Sequence, residues 1–404
     1  MRKLQFGKLS QRILTAGLFC ITGLGIVGPA AAEETIKIGA ILIDSGPFAN
    51  LYERQVRALN LAVDAVNAKG GALGRKFEVV VITHAGTPEA AVQAATRAVQ
   101  RDGAKFLTGM FTSSISLAMS ARMPALGALM IDPFSQSDVL TGKNCSAGYF
   151  RVSTNDSMIM GAVKEFIKGS PVRKWNVIAT DYTAGHDAAE KFQSVVESTG
   201  GSVNKVLFAP LGTSDFGTHI SQLAAAPADG LFVTIFGSDA INLAKQQAQF
   251  GLFKQFKMVL GNGFAVPANL PAQGDAVLGV QQTLSYVPEF PGKANADFVQ
   301  AYRSKYSEAP NYNLADQYAA VELLRDAIIK AGSTDVGAVK GALSGLKTST
   351  VLGDVEMRMA DHQLVRPITV TEVVRLDSGE LGYALKAVET GPSIIPVVDP
   401  ACKL

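Results

Sequence analysis

The 404-residue sequence is poor in the side chains that usually carry metal and redox chemistry: it has three cysteines, four histidines and one tryptophan. His84, His186, His219 and His362 are scattered, and neither they nor the cysteines show ligand spacing, so no metal site is expected. Nucleotide and hydrolytic motifs are lacking as well. No P-loop, H-E-x-x-H, G-x-S-x-G or C-x-x-C follows residue 32, so no cofactor is expected and an enzyme is disfavoured. An excess of charge of one sign is also missing. The 37 Lys and Arg stand against 35 Asp and Glu, with no basic run, which excludes nucleic acid as the partner. What is abundant is apolar: 48% hydrophobic residues over this length predict two domains or lobes, each with its own core.

The first 32 residues differ from the rest. They hold four bases, Arg2, Lys3, Lys8 and Arg12, and no acid; without them the chain has 33 basic and 35 acidic residues, a net charge of −2. An apolar run from Ile13 to Val27 follows, then Ala30-Ala31-Ala32 before Glu33. These three parts describe a secretory signal peptide cleaved after Ala32, and the short apolar run argues against an uncleaved anchor. Bulky Phe19 before Cys20 argues against a lipoprotein. Gly23, Gly25 and Gly28 spell the dinucleotide fingerprint, but in a removed segment it carries nothing. Two cysteines remain in the exported chain, Cys145 and Cys402, and an even pair in an oxidising compartment predicts one disulfide.

Beyond residue 35, strands and helices alternate. Ile36–Ile43 reads as a strand, and the helix from Gln55 to Ala68 carries Val56, Leu59, Val63 and Val66 on one face. Phe77–Ile82 is a strand, and Thr87-Pro88 caps and opens the next helix. Phe106–Thr108 and Leu129–Ile131 are further strands. The alternation restarts after Arg151 with strands 176–179, 203–208, 231–235, 258–260 and 280–283, with Ser238 capping a helix to Phe250. This is the pattern of parallel βαβ units, an α/β fold of two doubly wound, Rossmann-like halves in series. Helices over 295–306, 314–331 and 336–346, then a β-hairpin of 355–359 with 368–375, complete the two lobes, so the chain should cross between them more than once.

Ligands of open α/β sheets sit outside the carboxyl ends of the strands. Thr112, Ser113 and Ser114 follow one strand and open a helix, where hydroxyls and free N–H groups suit a carboxylate; the same residues serve equally well as a simple cap. Phe134, Ser135 and Gln136 follow the next strand at the same edge.

Several segments resemble one family. They are Ile38-Gly39-Ala40-Ile41 through Ser45-Gly46-Pro47, Leu61 to Gly71 with Leu73-Gly74-Arg75-Lys76, Asp181-Tyr182 with Gly185, Phe236 to Ala240, and Ala315 to Ala331. Together they resemble the leucine/isoleucine/valine-binding proteins, periplasmic solute receptors of ABC importers. The resemblance implies a type I periplasmic-binding fold, two lobes joined by a three-crossover hinge with a ligand cleft between them. It implies a first lobe of residues 33–152 and 285–350 and a second of 153–284 and 351–404, after the 1–32 signal peptide. It further implies a periplasmic, monomeric protein that passes a small carboxylate to the transmembrane subunits of an ABC permease. By position, Thr112, Ser113 and Ser114 become the carboxylate loop and Phe134, Ser135 and Gln136 the second loop. Leu51 or Tyr52 becomes a side-chain wall, and Tyr182, Ala184 and Phe236 become contacts from the second lobe.

The departures bear on the ligand. Where the family holds an amino acid's ammonium with an acid, after the 258–260 strand, this chain has Gly261-Asn262-Gly263-Phe264. An unpaired buried ammonium is costly, so an amino acid would need another partner such as Asp181 or Asp239. Phe111, Phe134, Tyr182, Phe236 and Phe264 could instead line a slot for an aromatic or keto acid. An Asp361-His362-Gln363 segment and the Cys-Lys-Leu ending resemble branches that bind aromatic acids, amides or urea, and the ending supports the Cys145–Cys402 bridge. Two rival readings stand beside the transport receptor: a sensor of the same fold, and an exported hydrolase using Ser113 or His186.

Overall fold

Two parallel sheets with the same strand order organise the chain in its computed structural model, which describes residues 35–45, 52–109 and 112–404. The expected signal peptide, the Gly46-Pro47 turn, Leu51 and Phe111 lie outside the described residues.

The first lobe runs β1 (Ile36–Ile43), α1 (Tyr52–Ala68), β2 (Phe77–His84), α2 (Pro88–Gln100), β3 (Phe106–Gly109), α3 (Ser113–Ser120), the single turn α4 (Met123–Leu126), β4 (Leu129–Asp132) and β5 (Tyr149–Arg151). Its sheet order is β2-β1-β3-β4-β5, all parallel. β1 is a near-continuous apolar run because helices cover both of its faces. Thr87 caps α2 as expected, accepting from the Ala90 N–H at 3.2 Å, and Ala91, Ala94, Ala95 and Ala98 let that helix approach the sheet closely.

The second lobe repeats the plan. α5 (Asp156–Lys168) leads into β6 (Lys174–Asp181), α6 (Thr183–Ser198), β7 (Ser202–Pro210), α7 (Gly217–Ala224), β8 (Gly230–Thr234), α8 (Gly237–Phe250), β9 (Met258–Gly261), α9 (Leu270–Gln273) and β10 (Gln281–Leu284). The order β7-β6-β8-β9-β10 matches the first sheet, and two antiparallel strands extend it past β10. Phe236 rather than Ser238 stands at the N-cap of α8. Ser238 lies inside the first turn, its hydroxyl donating to Asp239 at 3.3 Å.

The segment after β10 returns to the first lobe. α10 (Lys293–Tyr306), α11 (Tyr312–Ala331) and α12 (Val336–Leu343) pack in one core with β1 and α1. α11 is buried along most of its length, so its apolar surface has to be covered on all sides. A small antiparallel sheet supplies part of that cover: β11 (Lys347–Thr350), β12 (Gly353–Met357) and β13 (Leu364–Val365). Val351, Leu352, Val355, Met357 and Leu364 all belong to the first-lobe core, which corrects the expectation that residues from 351 onward lie in the second lobe. The expected hairpin of 355–359 with 368–375 is also corrected. β12 pairs with β11 and β13, whereas β14 (Ile368–Arg375) pairs with β10 and with β15 (Leu381–Glu389), a strand the sequence reading missed. The chain changes lobe at Arg366-Pro367, between the two members of that supposed hairpin.

The crossovers, near 152–155, 285–286 and 365–367, are knitted by buried polar groups. Arg151 is fully buried and donates to the Gln363 side chain and the Ser137 carbonyl, each at 2.5 Å, and to Thr141. Arg366 pairs with buried Asp316 of α11 and donates to the Ser285 carbonyl at 2.7 Å, tying the third crossover to the second.

The tail makes a further link. Ile394 is buried against Met158 and Ala162 of α5, where Gly161 is required because a Cβ there would stand 2.8 Å from the Ile394 Cα. Beyond it, the Pro396 carbonyl accepts from Arg358 at 2.7 Å, and Cys402 is disulfide-bonded to Cys145, as expected, with Cα atoms 5.5 Å apart.

Candidate functional site

In a sheet of this order the chain reverses direction between the second and third strands in space, and the crevice at that switch point is where such sheets bind ligands. In the second lobe the switch lies between β6 and β8. The residues just past those strands, Tyr182 and Phe236, meet edge to face with ring centroids 6.1 Å apart. Gly263 underlies Phe236. Its φ is +71°, and a Cβ there would lie 2.3 Å from the Phe236 ring, so glycine is needed for both reasons.

A cavity of about 660 Å³ opens over this pair. Tyr182, Phe236, Asn262, Gly263 and one face of α6 line it from the second lobe, and Gln136 and Tyr312 line it from the first. A larger hollow of about 1120 Å³ lies beyond Leu284 and Tyr312, between residues 303–312 and the β14–β15 turn. It is removed from the β6/β8 switch point and is walled by many charged, exposed side chains, so the smaller cavity is the candidate site.

Of the expected site residues, the structure brings Gln136, Tyr182, Phe236 and Asn262 together on the cavity wall, with Ala184 beside them. The others stand back from it. Thr112 caps α3, accepting from the Ile115 N–H at 3.4 Å, and its hydroxyl is 3.0 Å from that of Ser114. Ser113 accepts from the Ser137 N–H at 3.4 Å, which seats the start of α3 next to the Gln136 loop. Ser135 is 2% exposed; its hydroxyl lies 2.7 Å from that of Ser116 and its N–H donates to Asp132, making it a strut of the loop. Phe134 packs against the first-lobe core and donates its N–H to Asp132, and Tyr52 opens α1 against the other core cluster. Phe264 is fully buried in the second-lobe core and does not line this cavity.

The two acids expected as substitute ammonium partners are elsewhere. Asp181 is 2.8 Å from the His186 imidazole, and buried Asp239 accepts from the Gly212 N–H at 2.8 Å. The cavity has other acids, which sequence reasoning missed. Asp156 at the start of α5 and Asp187 on α6 line it together with Lys191. The signal was the spacing of Ala184, Asp187, Ala188 and Lys191, one face of a helix that starts at the switch point.

Lys191 donates to Asp138 of the first lobe at 2.8 Å, and the Ser157 hydroxyl donates to the same carboxylate at 2.7 Å. Burial pushes the Asp138 carboxyl up, but the bonds from Lys191 and Ser157 outweigh it and hold its pKa below the usual carboxylate range. Asp156 goes the other way. Desolvation within the cleft, reinforced by Asp138 and Asp187 and partly offset by Lys191 and Arg151, pushes it up to about 6, although the side chain itself stays open to the cavity. On the same wall, Thr283 is 6% exposed and its hydroxyl has no hydrogen-bond partner among the described residues. Ser113 and His186 are each engaged by other partners, and no hydrogen bond joins them as nucleophile and base. No cluster of metal-ligating side chains occurs among the described residues.

Comparison with known proteins agrees with this architecture. A family model for periplasmic binding proteins matches residues 35–380. Leu/Ile/Val-binding protein homolog 4 of Brucella melitensis is 24% identical over an alignment that takes in 97% of this chain and 98% of the relative. An ABC transporter substrate-binding protein from Sphaerobacter thermophilus superposes with a TM-score of 0.79 at 25% identity, over 91% of this chain and 99% of that one. A solute-binding protein of an ABC transporter from Rhodopseudomonas palustris, solved with 3,4-dihydroxybenzoic acid, superposes at 0.75 with 23% identity, over 88% and 97%. The chain belongs to the periplasmic binding protein family, and its fold is the type I two-lobed α/β fold of that family.

Proposed function

We propose that the protein is the extracytoplasmic solute receptor of an ABC importer of the branched-chain amino acid type, capturing a small carboxylate and presenting it to the membrane permease. The observation that carries this reading is the cavity of about 660 Å³ at the switch point of the second sheet, lined from both lobes. A ligand that touches both lobes binds the closed arrangement better than the open one and shifts the equilibrium by that difference. No bond is made or broken. The names of the relatives support the transport setting, with Leu/Ile/Val-binding and dihydroxybenzoate-bound proteins among them.

In this reading the ligand's carboxylate faces the first lobe at Gln136, next to which Thr112, Ser113 and Ser114 open α3, while its side chain rests on Tyr182 and Phe236. The signal peptide is removed after Ala32, and the receptor works in the periplasm as a monomer. The first lobe comprises residues 33–152 and 285–365, and the second comprises 153–284 and 366–395, with the last residues returning to the first.

The test is a thermal-shift screen of the exported protein against branched-chain amino acids, their 2-keto acids, benzoate-type acids and small amides. A ligand at about 100 times its Kd stabilises the folded state by about 2.7 kcal/mol, which the screen resolves. A shift with any of these solutes supports the receptor. No shift with any of them, or turnover of an ester or amide panel, overturns it.

A further inference from the structure

The last strand of the second lobe, β15, ends at Glu389, and the chain beyond it does not stay in that lobe. A short 3-10 turn, Pro392–Ile394, sets Ile394 into a seat formed by Met158 and Ala162 of α5 and by Ile368, the first residue of β14. α5 begins just past the first crossover and β14 just past the third. Ile394 therefore grips the second lobe at both points where the chain enters it from the first. The seat is tight: Ile394 is 1% exposed, and its backbone lies directly on Gly161.

Pro396, two residues on, is fastened to the first lobe. Its carbonyl accepts from Arg358 at 2.7 Å, and Arg358 is oriented by Asp361, to which its Nε donates at 2.8 Å. Asp399 then folds the chain end. Its carboxylate accepts from the Ala401 N–H and its carbonyl from the Cys402 N–H, each at 2.9 Å, which brings Cys402 to Cys145. Gly142 makes room for this approach, because a Cβ there would stand 2.8 Å from the Asp399 carboxylate. Residues 138–145 of the first lobe are thus joined to α5 at both ends. At one end Asp138 accepts from Ser157 at 2.7 Å; at the other, Cys145 carries the tail whose Ile394 packs on Met158, the next residue of α5.

We propose that the tail is a fourth connection between the lobes, a strap fastened by the disulfide, which favours the closed arrangement. A rotation that draws α5 away from residues 358–361 has only the link between Ile394 and Pro396 to take up the movement. It must either unseat Ile394 or break the Arg358 bond. A single hydrogen bond gives way easily, but the bridge six residues further on keeps Pro396 beside Arg358, so a broken bond re-forms within the molecule at high effective concentration. The strap goes beyond the receptor reading, since it acts on the lobes whatever solute lies between them.

Interlobe distances in the ligand-free exported protein test it. Spin labels on noncanonical residues at Gln93 of α2 and Ser194 of α6, both exposed, leave the cysteines intact. Pulsed dipolar spectroscopy of Cys145→Ser/Cys402→Ser is expected to show more molecules at the longer separation, with the closed-to-open ratio about threefold or more below that of the native protein. Ile394→Ala, which keeps the bridge but loosens the seat, should shift the ratio the same way. Urea midpoints separate this from a bridge that acts only on the unfolded chain, which would lower the midpoint of the double variant and leave its distances unchanged. That result overturns the strap, and so does a shift confined to Ile394→Ala. If the double variant does not fold, the native protein is folded first, its bridge is opened with dithiothreitol, and the same distances decide. No solute enters the measurement, so unchanged distances leave the receptor reading standing, and a solute screen without a shift leaves the strap standing.

Discussion

Lys191 of the second lobe reaches across the cleft to Asp138 of the first, Nζ to Oδ2 at 2.8 Å. The pair sits at the cavity rim and joins α6, which begins at the switch point, to the turn that follows the Gln136 loop. It therefore contributes to the closed arrangement and is absent from any arrangement in which the lobes part. Both side chains are partly exposed, so the pair is worth at most about 1 kcal/mol and is screened by salt. Lys191→Met is expected to weaken ligand binding by up to about fivefold at low ionic strength. The loss should shrink in ~1 M salt, where the Debye length is ~3 Å. Titrations at two salt concentrations check this; a loss independent of salt would mean that Lys191 acts by packing alone.

Gly263 holds the aromatic wall in place. Gly263→Ala puts a methyl group 2.3 Å from the Phe236 ring and a side chain at φ +71°. The strain costs about 1–3 kcal/mol, and displacing Phe236 uncouples it from Tyr182. The variant should show both a lower urea midpoint and weaker ligand binding. A midpoint loss with unchanged affinity would separate Phe236 from the ligand.

Glu322 of α11 is buried and accepts from the Val351 N–H at 3.0 Å, holding the turn that follows β11 against the first-lobe core. Burial pushes its pKa up from 4.5 to about 7. The folded state therefore holds this proton more tightly than the unfolded chain does. The stability it contributes is present below about pH 4.5 and is lost as pH rises through 7, on the order of 3 kcal/mol in full. Glu322→Gln keeps the acceptor and cannot ionise. It should melt higher than the native protein at pH 8, with the gain vanishing near pH 4.5. His362 slopes the other way, because burial lowers its pKa to about 4, so the difference between the two proteins isolates Glu322.

The Cys145–Cys402 bridge spans a sequence separation of 257. A loop of that length corresponds to about 5 kcal/mol of unfolded-state entropy in the chain model, and native bridges generally contribute 2–5 kcal/mol. Cys402→Ser is expected to lower the denaturation midpoint correspondingly. It should also raise the protease sensitivity of residues 395–404, since the Arg358 bond to the Pro396 carbonyl would then hold that stretch with little other help.

Much of this architecture was legible because parallel strands buried on both faces read as plain apolar runs. β1 matches its expected bounds, and Thr87 with Pro88 marks the start of α2 unambiguously. What failed was long-range pairing. Nothing local in 355–359 or 368–375 tells that the lobe changes between them, so two strands that looked like a hairpin belong to different sheets. β15 went unread because its burial is intermediate along most of its length and its apolar pattern is weak.

The site divided along the same line. Tyr182, Phe236 and Asn262 follow strand ends, and it was the resemblance to the family that pointed to them. Asp156 and Lys191 sit on helices, and only the packing of α5 and α6 over the cleft turns them toward it. Ser135 shows the converse: its position was right for a ligand, but Asp132 and Ser116 engage it.

The tail bridge also changes what a peptide-bond cut can do. Every residue from 146 to 401 lies within one covalent ring closed by the two cysteines, and that ring includes the whole second lobe and all three crossovers. A protease in the surrounding compartment that nicks an exposed turn, at the β14–β15 junction or in the loop before α10, opens the ring without dividing the molecule. Both lobes remain one tethered body until a second cut or a reductant arrives. A receptor exposed outside the cytoplasm thus tolerates single proteolytic events that would split an unbridged chain in two.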